Sequence, residues 1–222
     1  QLDRRPRQPR LDQNPSRKSS GSPLVKALLI IGVAFAFVVT LLLGYAFLVA
    51  KPNLPKISAL TDYNPKTPLR IYTADKVLIG EFGEERRKVI PLNEIPASMK
   101  NAVLAIEDDR FYSHGGVDYV GIIRAAATNL RGHLSQGAST ITMQVARNFF
   151  LSNEKTFSRK IYEVLLAWEI ESQLTKDKIL EIYMNQIFLG QRAYGFSSAA
   201  QIYFGKELKD ISIAESAMLA GL

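Results

Sequence analysis

The stretch AIEDDRFYSHGGVD, residues 105–118, sets Glu107, Asp108 and Asp109 in a row, followed by Arg110, two aromatics, His114 and the pair Gly115 and Gly116. It lies where one amphipathic helix ends and the glycine pair breaks the chain. Upstream, PASMKNAVLAIEDD places Met99, Val103 and Ile106 at i, i+4 and i+7, the stripe of a core-facing helix over 96–109. A carboxylate at the C-terminal end of such a helix feels the negative end of the backbone dipole and, beside two further acids, is a better proton acceptor than a solvated one. On local pattern alone the plainer reading leads. In that reading the acids and Arg110 solvate a helix end, Phe111 and Tyr112 plug the core, and His114 is a packed, hydrogen-bonded residue.

Working outward, the spacing predicts further helices over 118–131, 139–151, 157–174, 176–188, 195–204 and 212–221, the last opened by a Ser212-x-x-Glu215 capping box. Ahead of 96, LRIYT and VLIGEFG alternate around a polar turn at 74–76 and RRKVI follows, which predicts a small hairpin or three short strands over 69–90. Residues 51–68, with prolines at 52, 55, 65 and 68, read as an extended linker. Residues 27–50 run for twenty-four positions without a charge, enough for a transmembrane helix and longer than the apolar core of a signal peptide. The expected fold is thus mainly α: one transmembrane helix, then a domain over 69–222 with a small β-hairpin region. Beginning at Gln1 and stopping inside the apolar ESAMLAGL, the sequence is expected to be a piece of a longer protein.

The net charge of +7 is concentrated in residues 1–26, where seven basic residues face Asp3 and Asp12. That is a basic cytoplasmic tail on a nearly neutral domain, and it argues against a nucleic-acid partner. It also places the domain beyond the membrane on the outer side. With no cysteine, and with His114 and His133 as its two histidines, the chain excludes disulfide frameworks, thiolate catalysis and histidine-rich metal sites.

Two further stretches carry candidate chemistry. In GASTITMQVARNFFLS, 137–152, a glycine and the hydroxyls of Ser139 and Thr140 open a helix, offering free N–H groups to an anion or, more plainly, an ordinary N-cap. In KTFSRKIYEVLLAWEIE, 155–171, Arg159 and Lys160 share a helix face with Glu163 at i+4 and i+3. That is either a salt-bridged surface or a pyrophosphate cluster with a carboxylate for a divalent cation. Residues 176–206 read as architectural, with Ile179, Ile182, Tyr183 and Gln186 as a stripe and Gly195, Ala199 and Ala200 permitting close packing. Ser152-x-x-Lys155 imitates a penicillin-interacting serine motif but lacks its companions.

In this order the stretches resemble the five motifs of the family 51 glycosyltransferases, the peptidoglycan polymerase domain of class A penicillin-binding proteins. Glu107-Asp108-x-x-Phe111-x-x-His114-x-Gly116 is similar to the first, Gly137 to Gln144 to the second and Arg159-Lys160-x-x-Glu163 to the third. Lys176, Ile179, Tyr183 and Asn185 resemble the fourth, and Tyr194-Gly195 through Gly205-Lys206 the fifth. Ala138 and Met143 depart from residues frequent in the family, and neither change removes a charged or nucleophilic group.

The resemblance implies a lysozyme-like fold and an inverting polymerisation of lipid II into β-1,4 glycan with release of polyprenyl pyrophosphate. Glu107 would be the general base and Glu163 the second catalytic carboxylate, holding the phosphate site or a divalent cation such as Mg²⁺. Lys155, Arg159, Lys160, Ser139, Thr140, Gln144 and Arg147 would bind the pyrophosphate or substrate, with Asp108, Phe111, His114, Gly116 and Asn185 in support. Residues 110–135 would be the mobile segment that admits substrate. Expected partners are lipid II, the nascent glycan strand, the membrane and cell-wall synthesis regulators. The expected location is the bacterial cytoplasmic membrane, single-pass, with the N-terminus cytoplasmic and the catalytic domain periplasmic. The transpeptidase domain such proteins carry downstream lies outside the sequence. The alternatives are a lytic, glycan-cleaving enzyme of lysozyme type and a non-catalytic, membrane-anchored module that binds the wall.

Overall fold

A computed structural model describes residues 23–61, 69–83, 86–130, 137, 139–151 and 156–222. The basic tail up to residue 22, His133, the Ser152-to-Lys155 segment with the candidate Lys155, and part of the expected linker lie outside the described residues. The chain divides into two units, Gln1–Gly44 and Tyr45–Leu222.

The described part of the first unit belongs to helix α1, Pro23–Tyr45. It starts earlier than the apolar run alone suggests, because Pro23 is preorganised for the first helical turn. The helical run goes on as a π turn, Ala46–Ala50, and a 3₁₀ turn, Lys51–Asn53. Together Pro23–Asn53 makes 31 residues of mean hydropathy 2.8, one helix long and apolar enough to cross a bilayer.

In the second unit the expected extended linker is corrected. Helix α2, Ser58–Thr61, forms within it, and Ile57 and Leu60 are buried at 4% and 1% exposure in the domain core. The two apolar side chains stand three residues apart on one helical turn, and burying both outweighs the extended preference of the prolines around them.

Strands β1, Leu69–Tyr72, and β2, Leu78–Phe82, form the expected antiparallel hairpin with a register shift after Ile71. Strand β3, Arg86–Arg87, does not join them. It pairs in parallel with β4, Ala193–Tyr194. Side chains from the C-terminal helices complete the attachment: the N–H groups of Lys88, Ile90 and Leu92 donate to Ser198 Oγ, Asn185 Oδ1 and Glu181 Oε2, each at 2.9 Å. Arg87, only 3% exposed, lies over the Tyr194 ring at 4.8 Å.

The helices follow the predicted order within two residues at each end: α3 Ala97–Glu107, α4 Tyr119–Leu130, α5 Ile141–Phe150, α6 Phe157–Gln173, α7 Lys176–Gln186, α8 Phe196–Phe204 and α9 Ile213–Ala220. The Ser212–Glu215 capping box closes as predicted. Helix α5 packs on α6 and α7, and α3 packs on α9. Met99, Val103, Phe111, Ile141, Leu166, Ile170, Ile179 and Met184 fill the middle. Gly195, at φ +80°, is required by close approach: a Cβ there would stand 2.7 Å from the Asn185 carbonyl oxygen. Ile106 corrects the predicted stripe, since it is 58% exposed. Phe111 folds back in the 3₁₀ turn after α3 and occupies the core, leaving Ile106 on the wall of a cleft.

Candidate active site

Glu107 is the last residue of α3, and Asp108 leaves the helix as its C-cap. Chain order suggested that Asp108 would repel the Glu107 charge, but its carboxylate is committed elsewhere. Oδ1 lies 2.9 Å from His114 Nε2, and Oδ2 accepts the Ile141 N–H at 3.1 Å. The side chains of His114 and Asp108 are 6% and 3% exposed. The anion on the positive end of α5 is therefore Asp108 itself. The free N–H groups expected there are occupied at Ile141 and Met143. Thr140, buried, accepts from Met143 N–H at 3.2 Å and donates to the Gly116 carbonyl at 2.6 Å, so its hydroxyl serves as the cap.

Docking α3 and α5 in this way brings Gln144 to the candidate base. Gln144 Nε2 donates to Glu107 Oε2 at 2.6 Å, and its Oε1 takes a longer bond of 3.5 Å from Arg147. Burial first, then the Glu107 charge, push the Tyr183 phenol above its usual range against the opposing Arg147. A cleft of about 320 Å³ opens beside Glu107, lined also by Asp109, Asp118, Arg124, Ser139 and Thr140 among others.

The third motif reaches the same cleft through Ser139. Lys160 Nζ donates to Ser139 Oγ and to Glu163 Oε2, both at 2.9 Å, while Arg159 Nε lies 3.2 Å from Glu163 Oε1. Glu163 is 2% exposed, whereas the Lys160 side chain is 46% exposed. A buried carboxylate thus holds two cations, one of them presented to solvent beside Ser139. With each oxygen engaged by a cation, Glu163 does not fit a resident divalent ion. Among the described residues no group of three or more His, Cys, Asp or Glu could hold one.

Phe111, Gly116 and Asn185 support rather than line this arrangement. Phe111 is core, and Gly116, at φ +81°, lets the strap of residues 111–116 lie on α6, where a Cβ would stand 3.0 Å from the Ala167 carbonyl oxygen. Asn185 sits apart from the cleft, its amide donating to the carbonyls of Ile90 and Glu181 at 2.8 Å each. Asp109 makes an exposed 3.4 Å pair with Arg124. Asp118 is buried, which alone would raise its carboxyl; the Gly121 N–H, Arg110, His114 and the Val120 N–H together hold it below the usual range.

Two sets of side-chain contacts were not anticipated, a half-buried one at Glu171 and an exposed one at Tyr112. Glu171 binds Thr142 and Lys176, and Tyr112 donates to Asp177 Oδ1 at 2.9 Å. A sequence signal for the first exists: Glu163, Ala167 and Glu171 follow at i, i+4 and i+8, so Glu171 shares the buried face of Glu163.

A family model described as Transglycosylase matches residues 75–222. The chain belongs to the transglycosylase family. This transglycosylase is 56% identical over 194 residues to penicillin-binding protein 1A of Neisseria meningitidis serogroup A, covering 86% of this chain and 24% of the relative. It is 58% identical over 182 residues to the 1A protein of Neisseria gonorrhoeae, covering 82% and 23%. It is also 52% identical over 195 residues to that of Pseudomonas aeruginosa, covering 87% and 23%. The chain thus spans about a quarter of the length of these relatives. A crystal structure of penicillin-binding protein 1A from Haemophilus influenzae matches 72% of this transglycosylase and 14% of its own chain, at 28% identity and a TM-score of 0.34.

Proposed function

We propose that this transglycosylase polymerises lipid II, with Glu107 as the general base of an inverting transfer. The carrying observation is that Glu107 and Ser139 line one cleft and that Ser139 holds Lys160 at 2.9 Å, so a proton acceptor and an exposed cation serve the same space. Glu107 takes the proton of the acceptor 4-hydroxyl as that oxygen attacks the anomeric carbon. The bond from that carbon to the pyrophosphate oxygen breaks, and its electron pair leaves with the lipid pyrophosphate. Gln144 orients the base through its 2.6 Å bond. Lys160 and Arg159 neutralise the charge growing on the leaving group, and Glu163 fixes both cations in place. Lys155 is proposed to extend this set. No step is routed through a metal ion, and a divalent cation is expected to arrive with the pyrophosphate.

Exposed Ile106, Tyr119, Val120 and Ile123 lie on α3 and α4, the elements that carry Glu107 and the cleft residues Gly121 and Arg124. Such a surface suits a lipid-tethered substrate. The domain is proposed to work at the outer face of the bacterial cytoplasmic membrane, tail inward, where anchoring confines enzyme and lipid to two dimensions. In the test, purified protein is incubated with lipid II and the glycan is sized. Wild type forms polymer and releases polyprenyl pyrophosphate, and Glu107→Gln loses about 10³-fold or more of the rate. Undiminished polymerisation by Glu107→Gln would refute the assignment, and shortening of added glycan would favour a lytic enzyme instead.

A further inference from the structure

Glu171 belongs to none of the five motifs and has no part in the chemistry above. Its side chain is nevertheless only 12% exposed, and Oε1 accepts from two helices at once: Thr142 Oγ1 on α5 and Lys176 Nζ on α7, both at 2.6 Å. A threonine inside a helix ordinarily returns its hydroxyl to its own helix, so a bond across to α6 is a tertiary tie. Lys176 Nζ also lies 4.3 Å from the centre of the Phe111 ring. On the same face of α6, a Cβ at Gly116 would stand 3.3 Å from Glu171 Cγ. One carboxylate therefore meets the helix that carries Gln144, the ammonium over the Phe111 ring, and the glycine that ends the strap leading from Glu107.

We infer that Glu171 is a positioning residue for the general base. It pins α5 and the 111–116 strap to α6, so that Gln144, two residues beyond Thr142, delivers its amide to Glu107, four residues before Phe111. This rests on the proposed role of Glu107. The buried pin acts through geometry: displacement of a reacting group by an ångström can lower a rate about 10²-fold without removing any substrate contact.

The test measures kcat and KM for lipid II in the full chain, together with the side-chain amide proton resonance of Gln144, for Glu171→Gln, Thr142→Val and the two combined. Each single variant is expected to lower kcat about tenfold with KM within about twofold. The double variant falls no further than the worse single, because the pair acts as one unit. The Gln144 resonance, moved downfield in wild type by its bond to a carboxylate, returns upfield in both single variants. Thr142→Val keeps side-chain shape and leaves Glu171 paired with Lys176, so it decides the matter even where Glu171→Gln does not fold. An unchanged kcat and resonance in Thr142→Val, or a raised KM with kcat intact, overturns the inference. If wild type itself makes no polymer, the proposed function fails separately, and the resonance alone decides whether Glu171 positions Gln144.

Discussion

Asp108 and Asp109 are adjacent acids with opposite fates. Asp108→Ala strands the Ile141 N–H and His114 Nε2 in a buried place, about 1–3 kcal/mol for each unsatisfied group, while Asp109→Ala loses an exposed pair worth at most about 1 kcal/mol. Urea melts of the two variants read the difference, and equal shifts would contradict the assigned contacts. At Gln144, Gln144→Ala removes the donor to Glu107 and is expected to lower kcat about 10- to 100-fold with little change in Tm. The helix-end position of Glu107 and the pairing of Glu163 with Arg159 and Lys160 were legible in the sequence because helix position and i, i+4 spacing are local properties, whereas their chemical roles rest on the resemblance. One partner of Asp108, the Ile141 N–H, lies 33 residues away, and no local pattern announces it.

Among elements, periodicity specified the helices that pack in the core, and the hydroxyls of Thr140, Thr156, Thr175 and Ser212 cap α5, α6, α7 and α9. The capping box of α9 gives a pH test. The Lys206 ammonium first, and then the Ser212 backbone N–H, hold the Glu215 carboxyl at about 2, against an ordinary 4.5. A lowered folded pKa means stability that is present above about 4.5 and lost as pH falls towards 2. Thermal melts between pH 5 and 2 should show this loss in wild type and a smaller one in Glu215→Gln; identical profiles would remove the box from the stability of α9. Gly195→Ala meets both a positive φ and the Asn185 carbonyl, and is expected to cost about 2–4 kcal/mol in chemical denaturation. Ile106 escaped prediction because a stripe shows which face is apolar, whereas Phe111 decides where the core ends.

For the molecule as a whole, the misread segment was the one before the domain. Prolines signalled a linker, yet Ile57 and Leu60 join the core, information carried by partners far along the chain. A chain cut to residues 45–222 should keep its denaturation midpoint. A cut to 62–222 forfeits the burial of both side chains, about 3–6 kcal/mol by apolar area, and an unchanged midpoint there would restore the linker reading.

The attachment of β3 extends this to the time axis. The hairpin of β1 and β2 closes from neighbouring residues, but the N–H of Lys88 waits for Ser198, 110 positions later. At a synthesis rate of about 5–20 residues per second, that interval lasts roughly 5–20 s, during which residues 86–92 hang unpaired from the ribosome while the helices between are made. Nascent chains arrested before residue 181 should leave this segment open to protease, and those released past residue 198 should protect it.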